Sequence, residues 1–101
     1  MILQGVRAIN LKTTPGTTGS GEISVSWNGN SDPDWPHYEM YILVSNTNEA
    51  DESSQKYSDF TYRGNDGFGD WHSPGTRVSY ALYSIMKDGS KTVQKVTVTA
   101  L

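Results

Sequence analysis

Residues 22–27 read Glu-Ile-Ser-Val-Ser-Trp, with apolar side chains at 23, 25 and 27 and polar ones between them. Strict period-2 alternation marks a strand with one buried face. Trp27 closes the run, a polar turn follows over 28–34, and a second β-rich run comes next, Tyr38-Glu39-Met40-Tyr41-Ile42-Leu43-Val44. Two strands and one buried Trp define a sheet-on-sheet core against which the rest of the chain can pack. Ile23, Val25, Trp27 and Tyr38 are its expected members on these strands.

The same reading extends along the chain. Residues 6–11 form a first, edge strand, with Ile9 and Leu11 as its buried pair. Residues 13–21 hold Pro15 and three glycines and read as a turn. Residues 46–54 are polar and acidic with a single Ala, and read as a solvated loop in preference to a short helix over 48–55. Residues 57–63 alternate weakly, enough for one or two short strands. Gly64 to Asp70 holds three glycines in seven residues and reads as a flexible loop. A turn follows over 71–76. Residues 77–85 give the longest strand signal, with Val78, Tyr80 and Leu82 on one face and Ala81, Tyr83 and Ile85 on the other. An Asp-Gly turn at 87–90 leads into a last alternating strand over 92–101. About seven strands, turn-rich connections and no convincing helix predict an all-β fold, a seven-stranded antiparallel β-sandwich. At 101 residues the chain reads as one domain, 1–101, of a longer protein.

Composition removes several function classes. Eight basic and eleven acidic residues give a net charge of −3 with no basic cluster, which argues against a nucleic-acid partner. Without cysteine there is no disulfide and no thiolate chemistry. No apolar run approaches the roughly 20 residues of a membrane span, so membrane insertion is not expected. Met1 to Gln4 is too short for the apolar region of a signal peptide, and an exported parent would carry its signal elsewhere.

No residue set points to catalysis or to a cofactor. Asp32, Asp34 and Glu39 surround Pro33, where Asp-Pro initiates a turn by itself. Calcium needs six to eight oxygens in a shaped loop, which these do not supply. Asn65, Asp66 and Asp70 make a richer oxygen set but lack the alternating ligands and terminal Glu of an EF-hand. His37 and His72 are the only histidines, too few for a zinc site without cysteine. Nothing resembles a nucleophile elbow. No metal, no cofactor and no enzyme activity is the expectation.

In order and spacing the motifs resemble a fibronectin type III domain over nearly the whole chain. Leu11 ends the first strand and Val25-Ser26-Trp27 the second. Tyr38-Glu39-Met40-Tyr41 opens the third. Pro74-Gly75-Thr76 leads into the Tyr-rich Val78-Ser79-Tyr80-Ala81-Leu82-Tyr83, and Val96-Thr97-Val98-Thr99-Ala100-Leu101 closes the domain. The resemblance implies an immunoglobulin-like sandwich with Tyr80 and Leu82 in its core. It also implies a Tyr two residues after the Pro-Gly-Thr turn, whose hydroxyl ties the corner of the sandwich. Val78 stands there instead, and Tyr80 is the nearest substitute. Arg63-Gly64-Asn65 is similar to the integrin-binding tripeptide of some members, but its Asn lacks the carboxylate that binds the receptor's metal.

The stretch Ser31-Asp32-Pro33-Asp34-Trp35-Pro36-His37-Tyr38 is similar to members in tail-tip and other tail proteins of long-tailed bacteriophages, and to modules of extracellular glycosidases and adhesins. The resemblance implies a non-catalytic structural or adhesion module of a virion tail or a bacterial surface, extracellular in either case. Its partners would be assembly subunits, a host receptor or a cell-surface glycan. The alternative it implies is a carbohydrate-binding or linker domain of a secreted glycosidase. Trp35, Tyr62, Phe68 and Trp71 are the candidate contact residues. Trp35, Phe68 and Trp71 are aromatics in predicted loops, which either plug the ends of the sandwich or anchor a partner.

Overall fold

In the computed structural model residues 9–29, 37–58 and 67–101 are described, the side chains of 37, 38 and 55–58 excepted. The strands are β1 (Lys12–Pro15), β2 (Glu22–Ser26), β3 (His37–Ser45), β4 (Gln55–Ser58), β5 (Gly67–Trp71), β6 (Arg77–Met86) and β7 (Lys91–Thr99). They form a three-stranded sheet, β1-β2-β5, and a four-stranded sheet, β4-β3-β6-β7, with every pairing antiparallel. The described residues contain no helix. The fold is an all-β sandwich.

The core lies between the sheets. Ile23, Val25 and Trp27 from the β2 side meet Met40 and Ile42 of β3 and Val78, Tyr80 and Leu82 of β6, with Ile9 and Ala100 closing the cluster. Trp27, only 3% exposed, sits immediately after β2. Phe68 meets its ring edge-on at a centroid distance of 6.1 Å, and Phe68 also meets the ring of Tyr80 at 6.3 Å. Such pairs contribute about 0.5–1.5 kcal/mol beyond area burial. The backbone of Tyr38 belongs to β3, at a register shift between His37 and Glu39. Its side chain is outside the description, as are Trp35 and Tyr62.

The first strand does not lie where the sequence pattern puts it. Asn10 adopts a left-handed backbone (φ 51°), a conformation Asn tolerates better than most residues. That bend separates Ile9 from the strand, and pairing begins at Lys12 opposite Ser26. Residues 13–15, read as turn from Pro15 and the glycines nearby, are strand. Pro15 is accommodated because β1 is an edge strand, where a missing N–H costs no ladder bond on the open side. Ile9 is buried and Leu11 half-buried against the core. The Leu11 N–H donates to Gln94 Oε1 of β7 at 2.8 Å, tying the approach to β1 to the opposite sheet.

Gly21 closes the end of the sandwich remote from Lys12. Its N–H donates to the Leu101 carbonyl and its own carbonyl accepts from His72 N–H, at 2.9 and 3.0 Å. Its φ is +71°, and a Cβ there would fall 1.9 Å from the His72 carbonyl oxygen. Only glycine meets both conditions.

Trp27→Ala should destabilise the protein by about 3–5 kcal/mol, the usual result of truncating a buried aromatic. Denaturant titration followed by circular dichroism reads this directly. A loss under about 1 kcal/mol, the size of a surface substitution effect, would contradict the packing described.

Candidate functional site

Strand β5 carries most of the chemistry-bearing residues. The sequence places Phe68 and Trp71 in a flexible loop, but residues 67–71 pair with β2 throughout, from Gly67 opposite Ser26 to Trp71 opposite Glu22. A strand alternates its side chains, and this separates the two aromatics. Phe68 and Asp70 share the inward face with Val25 and Ile23, which they oppose, and Gly67, Gly69 and Trp71 take the outward face. Phe68 is accordingly a half-buried packing residue, whereas Trp71 is 62% exposed. Glycine content misleads here because Gly67 is needed for close approach to β2. A Cβ on Gly67 would lie 2.9 Å from the Val25 carbonyl oxygen.

Asp70 points into the end of the core, its side chain 14% exposed. Its Oδ2 accepts from the Tyr80 hydroxyl at 2.7 Å and from His72 Nε2 at 2.8 Å, and its Oδ1 accepts from the Trp71 N–H at 3.1 Å. A carboxylate only accepts, so His72 presents its Nε2–H to it. Tyr80 is on β6 and Asp70 on β5, so the hydroxyl–carboxylate bond joins the two sheets. Val78 is fully buried where the resemblance expects the corner tyrosine, and Tyr80 makes a cross-sheet bond to Asp70 in its place. Fully buried, Tyr80 needs a partner for its hydroxyl. Asp70, read from sequence as an oxygen of a loop, has that work instead.

The outer face of the four-stranded sheet is also covered. Seven consecutive residues of β6, Val78–Ser84, are buried, so both of its faces are shielded. Leu43, Ala81 and Tyr83 form a second apolar cluster with Ala50, and Tyr41 packs against it with its ring stacked on Tyr83 (5.4 Å, 5° between planes). Ala50 is the lone apolar residue of the polar stretch 46–54, and it is completely buried. Its N–H donates to the Ser79 hydroxyl at 2.9 Å. Glu52 accepts from the Tyr41 hydroxyl (2.8 Å) and from Lys91 (2.7 Å), and Glu49 pairs with Lys95 at 3.3 Å. Segment 46–54 is therefore a strap laid over the sheet and clipped to β7. The sequence signal for it was the apolar set Leu43, Ala81 and Tyr83 on the far side of the core strands, which needs a cover.

The strap has a defined electrostatic character. The hydrogen bond from Lys91, then that from Tyr41, holds the Glu52 carboxyl below its ordinary range. Glu52 in turn raises Lys91, while burial and then the Glu52 bond raise Tyr41. The Ser53 side chain and N–H hold Asp51 low. Shallow polar depressions flank the strap, one shared with His72 and one with Arg77, Lys95 and Thr97. Among the described residues no group of three or more His, Asp or Glu side chains is placed to hold a metal ion. Asp32, Asp34, Asn65, Asp66 and the Arg63-Gly64-Asn65 stretch fall outside the described residues, and so does the side chain of His37.

Against protein families and curated proteins the chain matches no family model and no curated protein.

Two outcomes follow from this geometry. Tyr80→Phe removes the donor to Asp70 while keeping the ring, and should cost about 1.5–3 kcal/mol, the range for a hydrogen bond to a charged group. Denaturant unfolding measures it. The Glu52 clip should be pH-dependent. A depressed carboxyl pKa contributes stability that is present above the unfolded value, about 4.3, and is lost as pH falls through the folded value. Hydrogen-exchange protection of the Ala50 amide should decline across that acid range in the wild type, and a Glu52→Gln variant should lack that component of the decline.

Proposed function

We propose that this chain is a fibronectin type III-like module acting as an in-line spacer and contact element in a bacteriophage tail or on a bacterial surface, without catalytic activity. The observation that carries this reading is where the chain enters and leaves the sandwich. Ile9 accepts from the Asn28 N–H and Lys12 faces Ser26, at the end of β2. Leu101 is bonded to Gly21, just before the start of β2. Ile9 and Leu101 therefore lie at opposite poles of the sandwich, the arrangement that an in-line spacer needs. That placement supports the reading of a repeated or intercalated spacer.

The strand order supports the seven-stranded immunoglobulin-like assignment. First, second and fifth strands share one sheet, and third, sixth and seventh the other, as in immunoglobulin-type sandwiches. Here β4 joins the edge of the second sheet, beside β3. The Trp27 core, the Pro74-Gly75-Thr76 turn into β6 and the Asp-Pro-Asp-Trp stretch support the type III likeness. Partners on this reading are assembly subunits or a host-surface molecule, and the location is the virion or the cell exterior.

The coding sequence on either side tests the proposal. A tail-tip or baseplate polypeptide in the same reading frame, or a surface-anchored adhesin, is the expected finding. A glycosidase catalytic domain in frame would favour the accessory-domain alternative, and a cytosolic enzyme domain would overturn both.

A further inference from the structure

Strand β7 is an outer strand of its sheet, and the hydrogen bonds at its two ends fix which of its backbone groups face outward. At one end the Met86 N–H donates to the Ser90 carbonyl at 2.7 Å, and at the other the Ala100 N–H donates to the Thr76 carbonyl at 2.9 Å. Between them the β6–β7 register runs without a shift from Ile85 opposite Lys91 to Arg77 opposite Thr99. In an antiparallel ladder, hydrogen-bonded pairs alternate with non-bonded ones. The even-numbered residues of β7, from Thr92 to Val98, therefore bond β6. Lys91, Val93, Lys95, Thr97 and Thr99 turn their N–H and carbonyl groups to the open side. Among the described residues none of these groups has a hydrogen-bond partner.

Proteins ordinarily blunt such an edge with shortness, a proline, a bulge or an outward lysine. The other outer strands are short or interrupted. β1 has four residues and ends on Pro15, β4 has four residues and a register shift beside it, and β5 has five residues. β7 has nine residues, no proline and no shift, and is built mostly of Val and Thr. Its lysines do not guard it, because each is drawn across the outer face of the sheet to the strap, Lys91 to Glu52 at 2.7 Å and Lys95 to Glu49 at 3.3 Å. β1 runs close to β7 from the other sheet, but no ladder joins the two. The Leu11 N–H bonds the side chain of Gln94 and leaves the edge backbone alone.

What fits a row of free N–H and carbonyl groups is another extended backbone that carries the same row. The β7 of a second copy is such a strand, already held straight by its own β6, so pairing orders little new chain. Two β7 strands meet antiparallel about a two-fold axis, the arrangement of a closed dimer. Odd-numbered residues then face odd-numbered ones, and charge selects among the registers. An axis at Lys95 sets Lys95 against the partner's Lys95, and an axis at Val93 sets Lys91 against the partner's Lys95. Like charges directly opposite are unfavourable. An axis at Gln94 brings two glutamines together on the side that faces the core. An axis at Val96 sets Lys95 opposite the partner's Thr97 and Val93 opposite the partner's Thr99. On the core side it sets Val96, packed half-buried against the core, opposite the partner's Val96. We propose that β7 is a self-association edge: two copies of the chain pair β7 to β7 about an axis at Val96 and join their four-stranded sheets into one.

Pairing along one strand buries less than the roughly 800 Å² per partner of a standard interface, so the dimer is weak. Sedimentation equilibrium of the 101-residue chain from about 20 µM to about 2 mM brackets the affinity of such an interface. A reversible dimer is the expected result. In it the amides of Val93, Lys95, Thr97 and Thr99 exchange more slowly as concentration rises, while those of Gln94, Val96 and Val98 are protected throughout. Thr97→Pro removes an outward N–H and no bond to β6, and should weaken the dimer about tenfold or more. Thr97→Lys, facing the partner's Lys95, should weaken it too, and Thr97→Glu should tighten it, opposite shifts that a folding defect does not mimic. A monomer at every concentration would overturn the proposal and leave the edge to a strand from another protein. So would a dimer that the Thr97 variants leave unchanged, or one in which the outward amides keep their exchange rates, since its interface would lie elsewhere. Slow exchange of those amides in the dilute monomer would overturn it as well, because the chain would then cover its own edge. None of these results touches the in-line spacer reading, which stands on the positions of Ile9 and Leu101.

Discussion

Burial of β6 on both faces sets the terms for the elements around it. Its inner side chains, Val78, Tyr80 and Leu82, need the three-stranded sheet, and its outer ones, Ala81 and Tyr83, need the strap. A strand shielded this way is ordinary in parallel sheets with helices on both sides, and less so in a small antiparallel sandwich. With no helix in the described chain to do the covering, a polar loop does it through one Ala and a set of side-chain clips. The polar bonds at its borders follow. Tyr80 must pair its hydroxyl with Asp70, and Ser79 must receive the Ala50 amide, because a buried polar group without a partner costs about 1–3 kcal/mol.

How much of this was legible depended on which physical signal each segment carried. Runs rich in β-branched and aromatic residues located β3 and β6, and alternation located β2 and β7, each to within one or two residues, because one buried face imposes a period of two. It also gave the two faces of β6 correctly. Turn chemistry was read well where a single residue decides it, as at Gly89, which has φ +88° in the turn before β7 and whose neighbour Ser90 bonds Asp88. Short edge elements were read badly. The four residues of β1 and the five of β5 hold Pro15, Gly67 and Gly69, and composition counts these as breakers. An edge position tolerates the proline, and close approach to the Val25 carbonyl requires Gly67. Neither reason is visible until the neighbouring strand is in place.

The candidate contact residues divide along the same line. Type and approximate position of Phe68 and Trp71 were legible, but their roles were not, since an odd or even place on a strand decides which of them faces water. The Asp70–Tyr80 bond was invisible for a different cause. The partners are ten residues apart on strands of opposite sheets, and no local pattern reports such a pairing. The strap was hidden because 46–54 has the composition of a solvated loop, and a single methyl group at Ala50 carries its docking.

The placement of Ile9 and Leu101 at opposite poles also has a mechanical meaning. A force applied between Ile9 and Leu101 would pull on β1 and β7 nearly parallel to their own axes. Their ladders would then be loaded in shear, with all bonds of a ladder sharing the force, and would not be peeled open one at a time. The two ladders are unequal. β7 is matched to β6 at nine positions, whereas β1 is matched to β2 at four, one of them Pro15. Under load β1 is the fuse. It would slip first and pay out a short length of chain, while the double-sided burial of β6 keeps the remaining sandwich intact.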